Sequence, residues 1–263
     1  MAHEIRRAEV TVNFRAHEWF ATECTYESYT HMFERHRAAG PGGRMLDVAR
    51  STQSGDPTRR TQVEEEKLVR LATPTRGRMN LLGNATNRFG QTGGLTQNGA
   101  DWMPNNIHFV GASRPRYSAV NYTGDRNGSC AAEGHMYGRS VLVWKDHVKR
   151  RGTFCAGDSF NPEVDETKIC TYDTIAALLA WMADNVFEDL YDKVRHRKQI
   201  APLAQNYIEC HVHTQLRFRE DLDYVRLDHS EAANSPRTGS GMSVVELNAR
   251  KFCERNRVRL EWV

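Results

Sequence analysis

The stretch Tyr207-Ile208-Glu209-Cys210-His211-Val212-His213-Thr214-Gln215-Leu216 decides how this chain is read. An extended strand sends successive side chains to opposite faces. A strand over Tyr207 to His213 turns Ile208, Cys210 and Val212 toward a core, and Glu209, His211 and His213 toward the other face. A carboxylate beside two imidazoles is either a reactive site or a wet surface, and the pattern alone weighs the two evenly. The spacing His211-x-His213 also suits two metal ligands, but spacing locates no third.

Upstream, from about residue 79, glycines and short β-type runs take over. These are Met79 to Leu82, Gly90 to Thr96, Arg116 to Tyr122, Ser140 to Trp144 and Gly152 to Ala156. A helix is expected from Tyr172 to about Val194, with Ile175, Leu178, Leu179, Met182, Val186, Leu190 and Val194 on one face. Thr171 or Asp173 is placed to cap it. A helix near residues 243–254 and a strand from Val258 to Trp262 close the chain. Short strands with few helices between them predict an α+β fold with split, mainly antiparallel sheets.

The first third reads differently. Trp19, Phe20, Tyr26, Tyr29 and Phe33 have spacings that suit an amphipathic helix pair over residues 16–38. Gly40-Pro41-Gly42-Gly43 breaks it, and residues 51–60 read as an exposed loop. Glu64, Glu65 and Glu66 then open a further helix, where the helix dipole favours them. Residues 1–78 are therefore expected to form a mainly helical appendage, and residues 79–263 the functional core.

Composition narrows the function classes. The 263 residues are enough for a buried core. The 36 basic and 33 acidic side chains nearly cancel, which argues against an electrostatic nucleic-acid binder. No apolar run approaches the roughly 18–20 residues of a membrane helix, and the N-terminus has no apolar signal-peptide core. The six cysteines show no CxxC spacing, so free thiols are expected.

Several segments can carry chemistry. Gly90-Gln91-Thr92-Gly93-Gly94 lacks the Lys-Ser/Thr of a P-loop and does not fit GxGxxG, but it can let backbone approach a ligand closely. Arg114-Pro115-Arg116-Tyr117-Ser118-Ala119 joins cations, an aromatic ring and a hydroxyl at a strand start. Gly152-Thr153-Phe154-Cys155-Ala156-Gly157-Asp158-Ser159 ends a strand in a turn that Asp158 can cap.

The order of these segments resembles the layout of ADP-ribosyltransferases: a glycine-rich segment, a Tyr-Ser-Ala strand, a hydrophobic run leading to Gly-Thr, and a strand headed by Glu. Glu209 to Leu216 looks like the Glu-strand of poly(ADP-ribose)-polymerase-like members. Over residues 80–262 the resemblance narrows. Gly93-Gly94-Leu95-Thr96, Arg114 to Ala119, Gly128-Ser129-Cys130, Thr153-Phe154 with Asp158-Ser159, and Tyr207-Ile208-Glu209 with His213 look like the CteC-type bacterial effector family of ubiquitin-directed threonine ADP-ribosyltransferases.

That resemblance implies a mono-ADP-ribosyltransferase that uses NAD as substrate and needs no metal. Its acceptor would be a hydroxyl of host ubiquitin. Glu209 would be the catalytic carboxylate, with Asp158 as second acid. Arg88, Gly93, Gly94, Arg116, Tyr117 and Ser118 would hold NAD, with Tyr117 and Ser118 on the nicotinamide ribose. The family's first-strand arginine has no clear counterpart, Arg88 being the nearest candidate. The protein would be a secreted effector acting in the host cytosol without a classical signal peptide. It would be a monomer that binds neither nucleic acid nor membrane, with residues 1–78 helping to dock ubiquitin. Two other readings compete: a metal-dependent hydrolase using His211 and His213, and a non-catalytic binding module on the same fold.

Overall fold

A computed structural model describes residues 1–29, 116–130, 137–159, 168–200, 207–212 and 214–263. In chain order, α1 (Ala2–Arg7) leads into β1 (Glu9–Phe14), and a single helical turn, α2 (Ala16–Trp19), follows. Next come β2 (Arg116–Asn121), β3 (Ser140–Trp144), β4 (Gly152–Ala156) and β5 (Ile169–Thr171). A 3₁₀ turn over Ile175–Ala180 precedes α3 (Asp184–His196) and β6 (Ile208–Val212). The chain closes with α4 (Phe218–Asp221), β7 (Leu222–Leu227), α5 (His229–Ala233), α6 (Val244–Asn256) and β8 (Arg259–Trp262).

The strands form one eight-stranded sheet in the order β5-β4-β6-β2-β1-β3-β7-β8. Every pairing is antiparallel except β7 with β8. The α+β class therefore holds, but the expected split into two sheets does not. The reason is β1, which pairs with β2 along one edge and with β3 along the other. It joins the two halves.

The same strand corrects the expected helical appendage over residues 1–29. Glu9-Val10-Thr11-Val12-Asn13-Phe14 alternates in period two, with Val10, Val12 and Phe14 on one face. Those three side chains are buried in the main core. The helix pair expected over 16–38 is reduced, within the described part, to the one turn of α2. Beyond it, Tyr29 bonds through its backbone to Leu216. Residues 30–78, with the rest of that expectation and the boundary at 78/79, lie outside the described residues, as do the strands expected near 79–82 and 90–96.

One face of the sheet is apolar. Val10, Val12, Phe14, Val120, Leu142, Trp144, Phe154, Ile208, Cys210, Val212 and Val225 project from it into the main core. An aromatic group closes one end, with Phe218 and Phe252 at 4.8 Å between ring centroids and Phe14 and Trp19 at 4.6 Å. Such tilted and edge-on pairs add to plain area burial. Helix α6 packs here through Val245, Ala249 and Phe252. Its start follows from a Ser243-x-x-Glu246 sequence, in which the Ser243 hydroxyl accepts from the Glu246 amide at 3.0 Å.

The long helix expected from Tyr172 to Val194 is two pieces. Trp181 closes the 3₁₀ turn, and Ala183 is extended before α3 begins. Neither Thr171 nor Asp173 caps it, because Thr174 is the residue at the start of the 3₁₀ turn and makes no side-chain cap bond. The predicted apolar face nevertheless survives the break: Ile175, Leu178, Met182, Val186 and Leu190 are buried, whereas Val194 is 40% exposed. Burial at three- and four-residue spacing is satisfied by two short helices as well as by one long one. Among the described residues, no helix is long and apolar enough to cross a membrane.

Candidate functional site

The opposite face of the sheet carries polar side chains, and the register brings them into rows. Cys155 of β4 lies opposite Glu209 of β6, which lies opposite Ala119 of β2, which lies opposite Thr11 of β1. In the neighbouring row Thr153, His211 and Tyr117 are aligned in the same way. Directly opposed residues share a face, so Glu209 is flanked by one thiol and one methyl group while an imidazole stands two residues along. The expectation that Glu209 and His211 share a face is met. His213 lies outside the described residues.

The group is dry: Glu209 is 1% exposed and His211 0%. A buried carboxylate must find partners, because leaving it unpaired away from water is costly. The Ser159 amide donates to Glu209 Oε2 at 2.7 Å, and His211 Nε2 lies 3.1 Å from the same oxygen. Beyond it, Thr153 Oγ1 lies 3.2 Å from His211 Nδ1. The chain Thr153–His211–Glu209–Ser159 thus runs through the sheet face and fixes both the ring and the carboxyl. Cys155 Sγ sits 3.9 Å from Glu209 Oε2 and 4.0 Å from His211 Nε2, and it donates to the Gly157 carbonyl at 3.2 Å. The Tyr117 ring meets His211 edge-on at 5.6 Å.

Tyr207 belongs to the same neighbourhood. Burial pushes its phenol well above the ordinary range, and the negative charges of Glu209 and then Asp158 push it further. Both acids therefore act electrostatically on one phenol. Asp158 is half-buried and adjoins Ser159, whose amide holds Glu209. The turn after β4 is thus the element that brings the two acids into one region.

The expected NAD contacts are divided. Tyr117 shares the Glu209 face. Arg116 and Ser118 do not: alternation along β2 sends them to the apolar side, in register with Val212 and Cys210. There Arg116 is fully buried, and the Ser118 hydroxyl accepts from Trp144 Nε1 at 3.2 Å. Arg88, Gly93 and Gly94 lie outside the described residues. Cys155, Thr153, Ser159 and Tyr207 lie in segments singled out from the sequence, but sequence reasoning gave none of them a role in the site. Thr153 and Cys155 alternate on a strand readable from the sequence, but only the pairing of β4 with β6 shows that they meet Glu209.

The donor set of this site is Cys155, Glu209 and His211, whose ligand atoms all lie within 4.8 Å of one another. No protein-family model matches this chain, and no curated protein matches it.

Proposed function

We propose that this chain is an NAD-dependent mono-ADP-ribosyltransferase that modifies a protein hydroxyl, with a threonine of host ubiquitin as acceptor. The observation that carries the reading is Glu209 itself, a buried carboxyl fixed by the Ser159 amide at 2.7 Å and by His211 at 3.1 Å. Cleavage of NAD breaks the C1′–N bond, and its electron pair leaves on the nicotinamide nitrogen. The sugar carbon becomes cationic as it departs. A fixed anion in a dry site stabilises that charge without having to reorganise.

The acceptor threonine then bonds through Oγ to C1′ and gives up its proton, for which Asp158 is the assigned base. Tyr117, on the same face as Glu209, is the assigned contact to the nicotinamide ribose. Glu209 is buried, so NAD binding requires this face to open around it. In this reading the protein is a monomeric bacterial effector and virulence factor acting in a host cytosol, and modified ubiquitin is blocked for further conjugation.

The test is the intact mass of ubiquitin after incubation with NAD and this protein. A gain of one ADP-ribose, mapped to threonine, is the expected result. Unmodified ubiquitin with no release of nicotinamide from NAD would overturn the reading.

A further inference from the structure

We propose that Cys155, Glu209 and His211 form a three-ligand site for a zinc ion. The inference concerns binding and goes beyond the NAD reaction: because Glu209 is common to both, a bound ion would occupy the carboxylate that the transfer uses, so the metal-free chain is the transferring form. The three atoms Cys155 Sγ, Glu209 Oε2 and His211 Nε2 are 3.1, 3.9 and 4.0 Å apart. A point equidistant from them lies roughly 2.2 Å from each, inside the range of about 2.0–2.3 Å that zinc keeps to nitrogen, oxygen and thiolate ligands.

The chemistry of the set agrees with that spacing. A thiol, an imidazole and a carboxylate together favour zinc over the hard cations calcium and magnesium, which take oxygen ligands alone. The imidazole is already oriented from behind, and the carboxyl is steadied through Oε2, the ligand oxygen itself. Thr153 Oγ1 at 3.2 Å holds His211 Nδ1, leaving Nε2 directed at the site, and the Ser159 amide holds the carboxyl. Outer partners of this kind fix ring orientation in metal sites. Among the described residues, these are the three His, Cys, Asp or Glu side chains so arranged.

Two other buried thiols make the contrast. Cys170 and Cys210 lie on the apolar face, where burial pushes both well above the ordinary thiol range. Cys155 alone among these three faces His211 and Glu209. Zinc binding would release the Cys155 thiol proton to solvent and replace the His211–Glu209 hydrogen bond. Affinity should therefore rise with pH. Among the described residues the set offers three protein ligands, one fewer than a closed tetrahedral zinc site uses.

The experiment loads the full-length protein with zinc chloride, both during expression and by prolonged incubation after purification. Metal content is then measured by mass spectrometry, and the ligand atoms by zinc X-ray absorption. One zinc per chain with one sulfur neighbour is expected. Cys155→Ser should lose the sulfur signal and weaken binding by about tenfold or more, and His211→Ala should weaken it comparably. Circular dichroism checks each variant, and Cys155→Ala provides a second thiol deletion if serine disturbs the fold. A chain that stays metal-free under both loading conditions would overturn the site. So would a folded Cys155→Ser or Cys155→Ala protein that binds zinc as tightly as the parent.

Discussion

Among the described residues two glutamates are buried, and they are held in different ways. Glu231, 9% exposed, lies in the short helix α5 and accepts from main chain on two other elements. The Arg139 amide donates to Oε1 at 2.8 Å. The Ala16 and Ser140 amides donate to Oε2 at 2.9 and 3.2 Å, and the Ser140 hydroxyl at 2.7 Å. It ties the start of α2 to the start of β3. Glu209 takes the Ser159 amide, but it also lies against His211 and Cys155 and its charge acts on the Tyr207 phenol, and all three groups can gain or lose a proton. Burial does not separate a structural carboxyl from a reactive one; the chemistry of the neighbours does.

The comparison breaks most directly at Glu209. Glu209→Gln keeps the shape and removes the charge, so NAD cleavage should fall by about 10²–10³ while the melting temperature stays close to that of the parent. Nicotinamide release beside a thermal melt reads both. A folded Glu209→Gln protein with near-normal turnover would place Glu209 in the same class as Glu231. The reciprocal change, Glu231→Ala, strips partners from three amides and a hydroxyl. Leaving buried donors unsatisfied should lower stability by about 3 kcal/mol in a urea titration. Its folded fraction should keep its turnover. A loss below about 1 kcal/mol would mean that water replaces the carboxylate and that Glu231 is no tie.

The two carboxyls were not equally legible in the sequence. Glu209 stands out because Ile208, Cys210 and Val212 alternate with it, and a period of two is a local property that needs no partner strand. The strands β2, β3, β4 and β8 and the helix α6 are local in the same sense. What brings Cys155 and Thr153 to Glu209 is the pairing of β4 with β6 across more than fifty residues, and no local pattern encodes it. Glu231 is harder still, because its role is defined by the amides of Ala16, Arg139 and Ser140, which are invisible in side-chain types. The strand β1 is a different lesson. Its alternation was readable, but the aromatics at Trp19 and Phe20 draw the eye to a helix, and those rings instead close the core. The break at Trp181 to Ala183 carries neither glycine nor proline and has no sequence signal.

Asp158 sharpens the comparison at a smaller scale. If it takes the proton of the acceptor hydroxyl, Asp158→Asn should reduce ubiquitin modification by about tenfold or more while NAD hydrolysis by water falls less. A carboxyl that only caps the turn after β4 would lower both activities together with the melting temperature. Measuring transfer, hydrolysis and melting on one preparation separates these outcomes. Equal losses in transfer and hydrolysis at an unchanged melting temperature would also remove Asp158 from the acceptor step.

A third glutamate on the same sheet face tests what an ordinary ion pair contributes. Glu9 opens β1 on the face that bears Glu209, but it lies beside Arg226, whose guanidinium donates to Oε2 at 2.9 Å and to Oε1 at 2.7 Å, and beside the Tyr224 hydroxyl. Burial alone would raise its carboxyl, but the donors Arg226 and Tyr224 outweigh that and hold it below the usual carboxylate range. A depressed folded value means that the pair contributes stability above the unfolded glutamate's pKa, near 4.3, and loses it as pH falls through the lower folded value. The side chain is 32% exposed, so water screens the pair, and the effect should be about 1 kcal/mol or less. Urea titrations at pH 7 and pH 3 should show Glu9→Gln costing that amount at pH 7 and close to nothing at pH 3. A cost that persists at pH 3 would mean that Glu9 acts through packing and hydrogen bonding, as Glu231 does, and not through charge.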